Sequence, residues 1–232
     1  MRAGLLDEDA TVVRKSLAVA VATGAYGITA GALAVAAGLS VLQAMALSLL
    51  LFSGGSQFAF FGVIGAGGSP VAAVASSTLL GVRNGFYGLQ VSQLLGVHRW
   101  KRALAAHLTI DESTAVAVTQ SRTRQQRIGF WLTGAGIFVL WNLMTLVGAL
   151  AGSALGDPRA YGLDAAAAAA FVALLWPRLR GRDPLATGAL AAFITVVVAP
   201  FVPAGIPVLA AVAAALVVGL PRRPPSAAQV DR

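Results

Sequence analysis

"FSGGSQFAFFG", residues 52–62, lies inside an apolar run that extends from Val41 to Gly67. Two glycines and two serines interrupt what otherwise reads as a membrane helix. In hydrocarbon every backbone N–H and C=O needs a partner within the protein. Non-helical backbone at that depth is tolerated only where it is buried in protein or lines a water-filled cavity. A break placed here therefore predicts an interior site in a membrane protein.

The rest of the chain agrees with the membrane reading. Of 232 residues, 57% are hydrophobic and only 11% charged, a balance that marks an integral membrane protein rather than a soluble domain. The net charge of +8 does not point to nucleic acid, because the basic residues stand in short clusters between apolar runs, as in cytoplasmic loops. There is no cysteine, so disulfides and thiolate metal sites are excluded. The two histidines, His98 and His107, flank a basic loop and do not form a ligand set. No nucleophile elbow, phosphate loop or HExxH pattern occurs. The expectation is a protein that is not an enzyme and holds no metal or cofactor. At the N-terminus, the acidic Asp7-Glu8-Asp9 and the long glycine-patterned run after Lys15 favour a retained first span over a cleaved signal.

Charge-free runs locate the spans. Residues 16–82 carry no charge, Arg83 stands alone, and the next charge is Arg99; residues 128–156, 165–177 and 185–221 are also charge-free. A crossing helix needs roughly 20 apolar residues. Segments are expected near 16–38, 41–67, 70–97, 128–152, 160–177, 184–201 and 204–220, with a shorter apolar helix near 109–120. The fold class is an all-α polytopic membrane protein of about seven segments, six to eight in range. Two of them, 41–67 and 70–97, are expected to be interrupted near the middle. Residues 1–220 form one transmembrane domain, and 221–232 read as a disordered cytoplasmic tail. Basic clusters at both ends and at 178–182 predict a multi-pass cell-membrane protein with both termini cytoplasmic. The first half resists a simple count: either 41–67 and 70–97 both cross and leave Arg99–Arg102 outside, or one segment is re-entrant.

Small residues recur on single helix faces. Gly24, Gly27, Gly31 and Gly38 form one such stripe, and Trp141, Thr145, Gly148 and Gly152 another. Both predict close helix–helix packing.

Chemistry concentrates at a few positions. Transporters bind substrate on the freed backbone groups of broken helices, and Ser53, Gly54, Gly55, Ser56 and Gln57 supply such a break with side-chain donors and acceptors. "LLGVRNGFYG", residues 79–88, places Arg83 mid-segment. An arginine there costs about 2.5–3.5 kcal/mol and needs a carboxylate, carbonyls or water. It suits a substrate carboxylate through a bidentate pair, or else clamps the structure, for example against Asp164. Asn84 and Tyr87 are close enough to share its cavity, and Trp141 is a candidate wall for an apolar side chain. "HLTIDESTAVAV", residues 107–118, places Asp111 and Glu112 before an apolar stretch. These acids, with Asp164, are proton-coupling candidates. Alternatively, Thr109 and Glu112 form a capping box.

Together these pieces resemble the AzlC family, the large subunit of azaleucine-resistance-type branched-chain amino acid permeases. The resemblance rests on "FSGGSQF" at 52–58, "GVRNGFYG" at 81–88, "TIDES" at 109–113 and "YGLDAAAAAAFVALLWP" at 161–177. It spans residues 15 to 220. The sequence departs at Gly81 and Asn84, where the family pattern has asparagine and histidine, so an imidazole at position 84 is missing. The resemblance implies a secondary transporter that exports valine, leucine and isoleucine across the bacterial inner membrane. It also implies a small AzlD-type membrane subunit of about 100 residues as partner. Beside these partners, the amino acid and the lipid bilayer, no nucleic acid is expected. A carrier for another small organic anion, a pore and a non-transporting scaffold are the alternatives.

Overall fold

The computed structural model describes residues 2–154, 172, 175, 176 and 179–219, and these are helical without a single strand. Helices α1 (Arg2–Ala25) and α2 (Gly27–Ala36) form one nearly continuous rod, joined through Tyr26. Its neighbour is the 32-residue helix α8 (Thr123–Ala154). The two run parallel, in a register fixed by glycine. A Cβ on Gly27 or Gly31 would strike the Trp141 or Thr145 carbonyl, and one on Gly148 would strike the Ile28 carbonyl. Lipid supplies no hydrophobic drive between helices, so this backbone contact is what dispersion and packing require. Gly38 leaves the expected stripe: it has φ +92° and ends α2. At the N-terminal end of the pair, Glu8 and Asp9 bind Arg122 and Arg124 at 2.9 and 3.0 Å, and Lys15 donates to Thr119.

The stretch 41–65 is two short helices with a break between them. Helix α3 (Val41–Leu50) starts with a Ser40–Gln43 capping box. The chain turns non-helical at Leu51, is extended at Ser53, and restarts as α4 (Gly54–Gly65). It then doubles back. Ser48 meets Thr145, Phe52 meets Phe138, and Gly65 returns beside Ala37, at the end of the rod where α3 began. The segment expected at 41–67 is therefore a helical hairpin that returns to the end of the rod where it began, not one continuous helix.

Helix α5 (Pro70–Leu95) is capped by Ser69, opens with a proline and stops at Gly96 in the left-handed region (φ 58°). It runs without interruption through Gly81, Arg83 and Gly85, which corrects the break expected there. Each interior glycine weakens a helix by only about 1 kcal/mol, which 26 residues of hydrogen bonding and packing absorb. The second break lies further on, at Leu108–Ile110, between α6 (Trp100–His107) and α7 (Asp111–Val118). This pair also doubles back, from the opposite end of the molecule. Gly96 lies beside Arg127, His107 reaches Phe138, and Val116 returns beside Gly129. Thr109 caps nothing: its hydroxyl donates to the Ala105 carbonyl, so the Thr109–Glu112 capping box does not form.

The order short helix, break, short helix, long helix thus occurs twice, as α3–α4–α5 and α6–α7–α8, entering from opposite ends. Beyond it, α9 (Arg182–Val198), a 3₁₀ turn (Ala199–Phe201), α10 (Ile206–Ala210) and α11 (Val212–Gly219) make an apolar hairpin. Its turn packs by Ala204 and Gly205 against Gly68, Val63 and Ala72. Among the described residues, Glu8–Ala36, Thr123–Ala154 and Arg182–Phe201 are long and apolar enough to cross a membrane. The expected segment near 160–177, Asp164 and the tail at 221–232 lie outside the described residues, apart from Val172, Leu175 and Trp176.

Candidate functional site

The two breaks meet at mid-height. The Phe52 ring lies 6.0 Å from the His107 ring, and both pack on Phe138. Beside them opens a cavity of about 600 Å³, within the size range of small-molecule sites. Ser53, Gly54 and Gly55 at the start of α4 line it, as do Ile110, Asp111 and Glu112 at the start of α7. The Ser53 side chain does not cap α4, and the helix's first turn and the positive end of its dipole face the cavity that Ser53, Gly54 and Gly55 line.

Helix α5 carries Arg83 and Asn84 into the same wall. Arg83 Nη1 binds Asp111 Oδ2 at 2.9 Å, with the two side chains 30% and 21% exposed. This ion pair bridges α5 to the start of α7. Arg83 Nη2 lies against Gly55, where a Cβ would approach it to 3.0 Å, so the glycine makes room for the guanidinium at the α4 terminus. Arg83 Nε and Asn84 Oδ1 are buried without a hydrogen-bond partner among the described residues. Trp141 closes the wall from α8. Its ring lies over Gly54, and it meets Phe58 edge-on at 6.2 Å.

Other expected site residues sit behind the wall. Gln57 is fully buried: its Nε2 donates to the Leu51 carbonyl at 2.7 Å, and its Oε1 accepts from Trp141 Nε1 at 3.0 Å. It satisfies a carbonyl freed by the break and fixes the cavity's tryptophan. Ser56 accepts from the Ser53 hydroxyl, and its carbonyl accepts from Ser77, which ties α4 to α5. Tyr87 does not line the cavity. One brace went unread in the sequence. Ser113 donates to the Leu108 carbonyl at 2.7 Å and accepts from the Ile110 amide, doing for the second break what Gln57 does for the first. No cluster of acidic residues and histidines suited to a metal occurs among the described residues.

The arrangement pairs two half-helix N-termini with one guanidinium and two carboxylates. It suits a small anionic or zwitterionic ligand. Comparison with known proteins gives a match over residues 18–155 to the family model described as AzlC protein. The chain is also 35% identical over 156 residues to an uncharacterized membrane protein of Archaeoglobus fulgidus, covering 66% of this chain and 68% of that one. No solved structure matches.

Proposed function

The chain belongs to the AzlC family of membrane proteins, and on that premise we propose that it is a secondary transporter of small amino acids with apolar side chains. The observation that carries this reading is the cavity where two half-helices from opposite ends bring their N-termini to one arginine. Arg83 and the α4 amides take the substrate carboxylate, with Ser53 beside them. Trp141 and Phe58 face the apolar side chain. Gln57, Ser56 and Ser113 hold the broken backbone in place. Branched-chain export, as the large subunit of a pair with a small AzlD-type partner, is the specific form we propose. In it the chain crosses the bacterial inner membrane several times with both termini cytoplasmic, and Glu112, on the cavity wall, couples transport to protons.

The test is counterflow of radiolabelled leucine, valine and isoleucine in proteoliposomes, with and without the small subunit. Saturable, trans-stimulated uptake is expected when both chains are present. Absence of counterflow for all three substrates would refute the branched-chain reading, and non-saturating conduction would make the protein a pore.

A further inference from the structure

The Arg83–Asp111 ion pair faces the cavity and is only partly shielded, at 30% and 21% exposed. Its chemistry is incomplete on the arginine side. Nη1 serves Asp111, Nη2 lies against Gly55, and Nε is buried without a partner among the described residues. The next residue, Asn84, lines the same cavity with a buried, unpartnered Oδ1. Cationic donors and anionic acceptors therefore lie side by side.

We propose that the substrate opens this pair and takes both halves of it. The α-carboxylate of an amino acid replaces Asp111 on the Arg83 guanidinium, where a planar fork accepts it through two parallel hydrogen bonds. The α-ammonium binds the released Asp111 carboxylate, with Asn84 Oδ1 as a further acceptor. This assignment rests on the amino-acid reading of the cavity and adds to it a role for Asp111 and a basis for selectivity. In an α-amino acid the two charges are separated by one carbon, so a single ligand reaches both partners of a direct ion pair. Arg83 and Asp111 each keep an opposite charge after binding. A ligand with one charge takes one member of the pair and returns no counter-charge to the other, which is disfavoured in a partly shielded site. The pair selects for zwitterions because Arg83 and Asp111 already neutralise each other in the empty state. Without substrate the closed pair occupies the place of the ligand's charged groups.

Thermal-shift titration of the full-length protein in detergent reads this directly. The probes are leucine, 4-methylpentanoate (which lacks the ammonium) and 3-methylbutylamine (which lacks the carboxylate). In the unmodified protein both single-charge analogues should bind at least about tenfold more weakly than leucine. Asp111→Asn should weaken leucine while leaving or improving 4-methylpentanoate, so that their ratio narrows. Arg83→Gln should narrow the ratio of leucine to 3-methylbutylamine instead. Equal binding of leucine and either analogue to the unmodified protein would overturn the proposal without any variant. So would an Asp111→Asn protein in which leucine and 4-methylpentanoate weaken together. Failure of the unmodified protein to bind leucine, valine or isoleucine would instead sink the amino-acid reading, and this inference with it.

Discussion

Gln57 shows how far a side chain's role depends on what stands opposite it. Its amide looks like a substrate ligand in "SGGSQF", yet both ends are committed within the protein, to Leu51 and to Trp141, 84 residues away. Nothing local in the sequence announces the second partner. Arg83 was legible for the opposite reason: a lone charge within residues 16–98 must have a compensating environment, whatever the fold. What could not be read was the compensator, Asp111, because only the fold sets the α7 terminus beside α5. The geometry of Gln57 gives a definite outcome for Gln57→Leu. The change strips the Leu51 carbonyl of one donor and leaves the Trp141 N–H unpartnered in a buried site. A loss of about 1–3 kcal/mol of stability is expected. It should appear as a lower melting temperature in detergent even where no substrate is present. An unchanged melting temperature would mean that the break needs no brace. Glu112 belongs to the same scale. Glutamine keeps its size and polarity but cannot carry a proton in and out. Glu112→Gln should therefore flatten the pH profile of leucine counterflow while the protein stays folded. A profile identical to that of the unmodified protein would remove Glu112 from proton coupling.

At the level of elements, the sequence located one break correctly and the other wrongly. "FSGGSQF" concentrates glycine where the α3–α4 break occurs. The α6–α7 break, Leu108-Thr109-Ile110, has neither glycine nor proline, and its "TIDE" mimics a capping box. Gly81 and Gly85 attracted the break to α5 instead, where the helix is continuous. Glycines with different duties respond differently to a side chain. Gly85 sits in mid-helix with nothing among the described residues within 4 Å of an added Cβ. Gly85→Ala should be neutral or stabilising, by up to about 1 kcal/mol, because it restores helix propensity without a clash. At Gly31 an added Cβ meets the backbone of Thr145 and Ala149, which cannot rotate away. Gly31→Val should force α2 and α8 apart and cost about 1–3 kcal/mol or more. Parallel melting curves of the two variants check both. A destabilised Gly85→Ala would argue that α5 needs a flexible centre after all.

For the whole molecule, the two hairpins that double back from opposite ends favour one of the two counts that the sequence left open. If α3–α4 turns back and α6–α7 turns back from the other end, then α1–α2, α5 and α8 are the elements that run from one end of the bundle to the other up to residue 154, and of these α1–α2 and α8 are long and apolar enough to cross a membrane. Their ends then sort by charge. Arg14 and Lys15 lie at the end of the rod where Lys15 meets Thr119, and Arg122 and Arg124 bind Glu8 and Asp9 there. Gly96 touches Arg127, which brings the Arg99–Arg102 cluster to that same end. The turn at Ala204–Gly205 packs beside Gly68 at the opposite end. The helical run of 20 residues leading into it, Arg182–Phe201, is about 30 Å long. The clusters Arg14–Lys15, Arg99–Arg102 and Arg122–Arg127 then fall at one end, which the positive-inside rule would make the cytoplasmic one. Had 41–67 and 70–97 both crossed, Arg99–Arg102 would face outward, against that rule. The chain has no native cysteine, so single cysteines report without background. His98→Cys and Ser121→Cys, both at exposed positions, should resist an impermeant thiol reagent in intact cells and react once the membrane is opened. Ala66→Cys, exposed at the end of α4, should react in intact cells. Labelling of position 98 from outside would reject the re-entrant arrangement, because it requires a further crossing before α8. Protection at position 66 would place α4's end in the cytoplasm and reverse the hairpin. Either result would also separate the two half-helix termini from a common depth, and with it the basis for a shared cavity open alternately to the two sides.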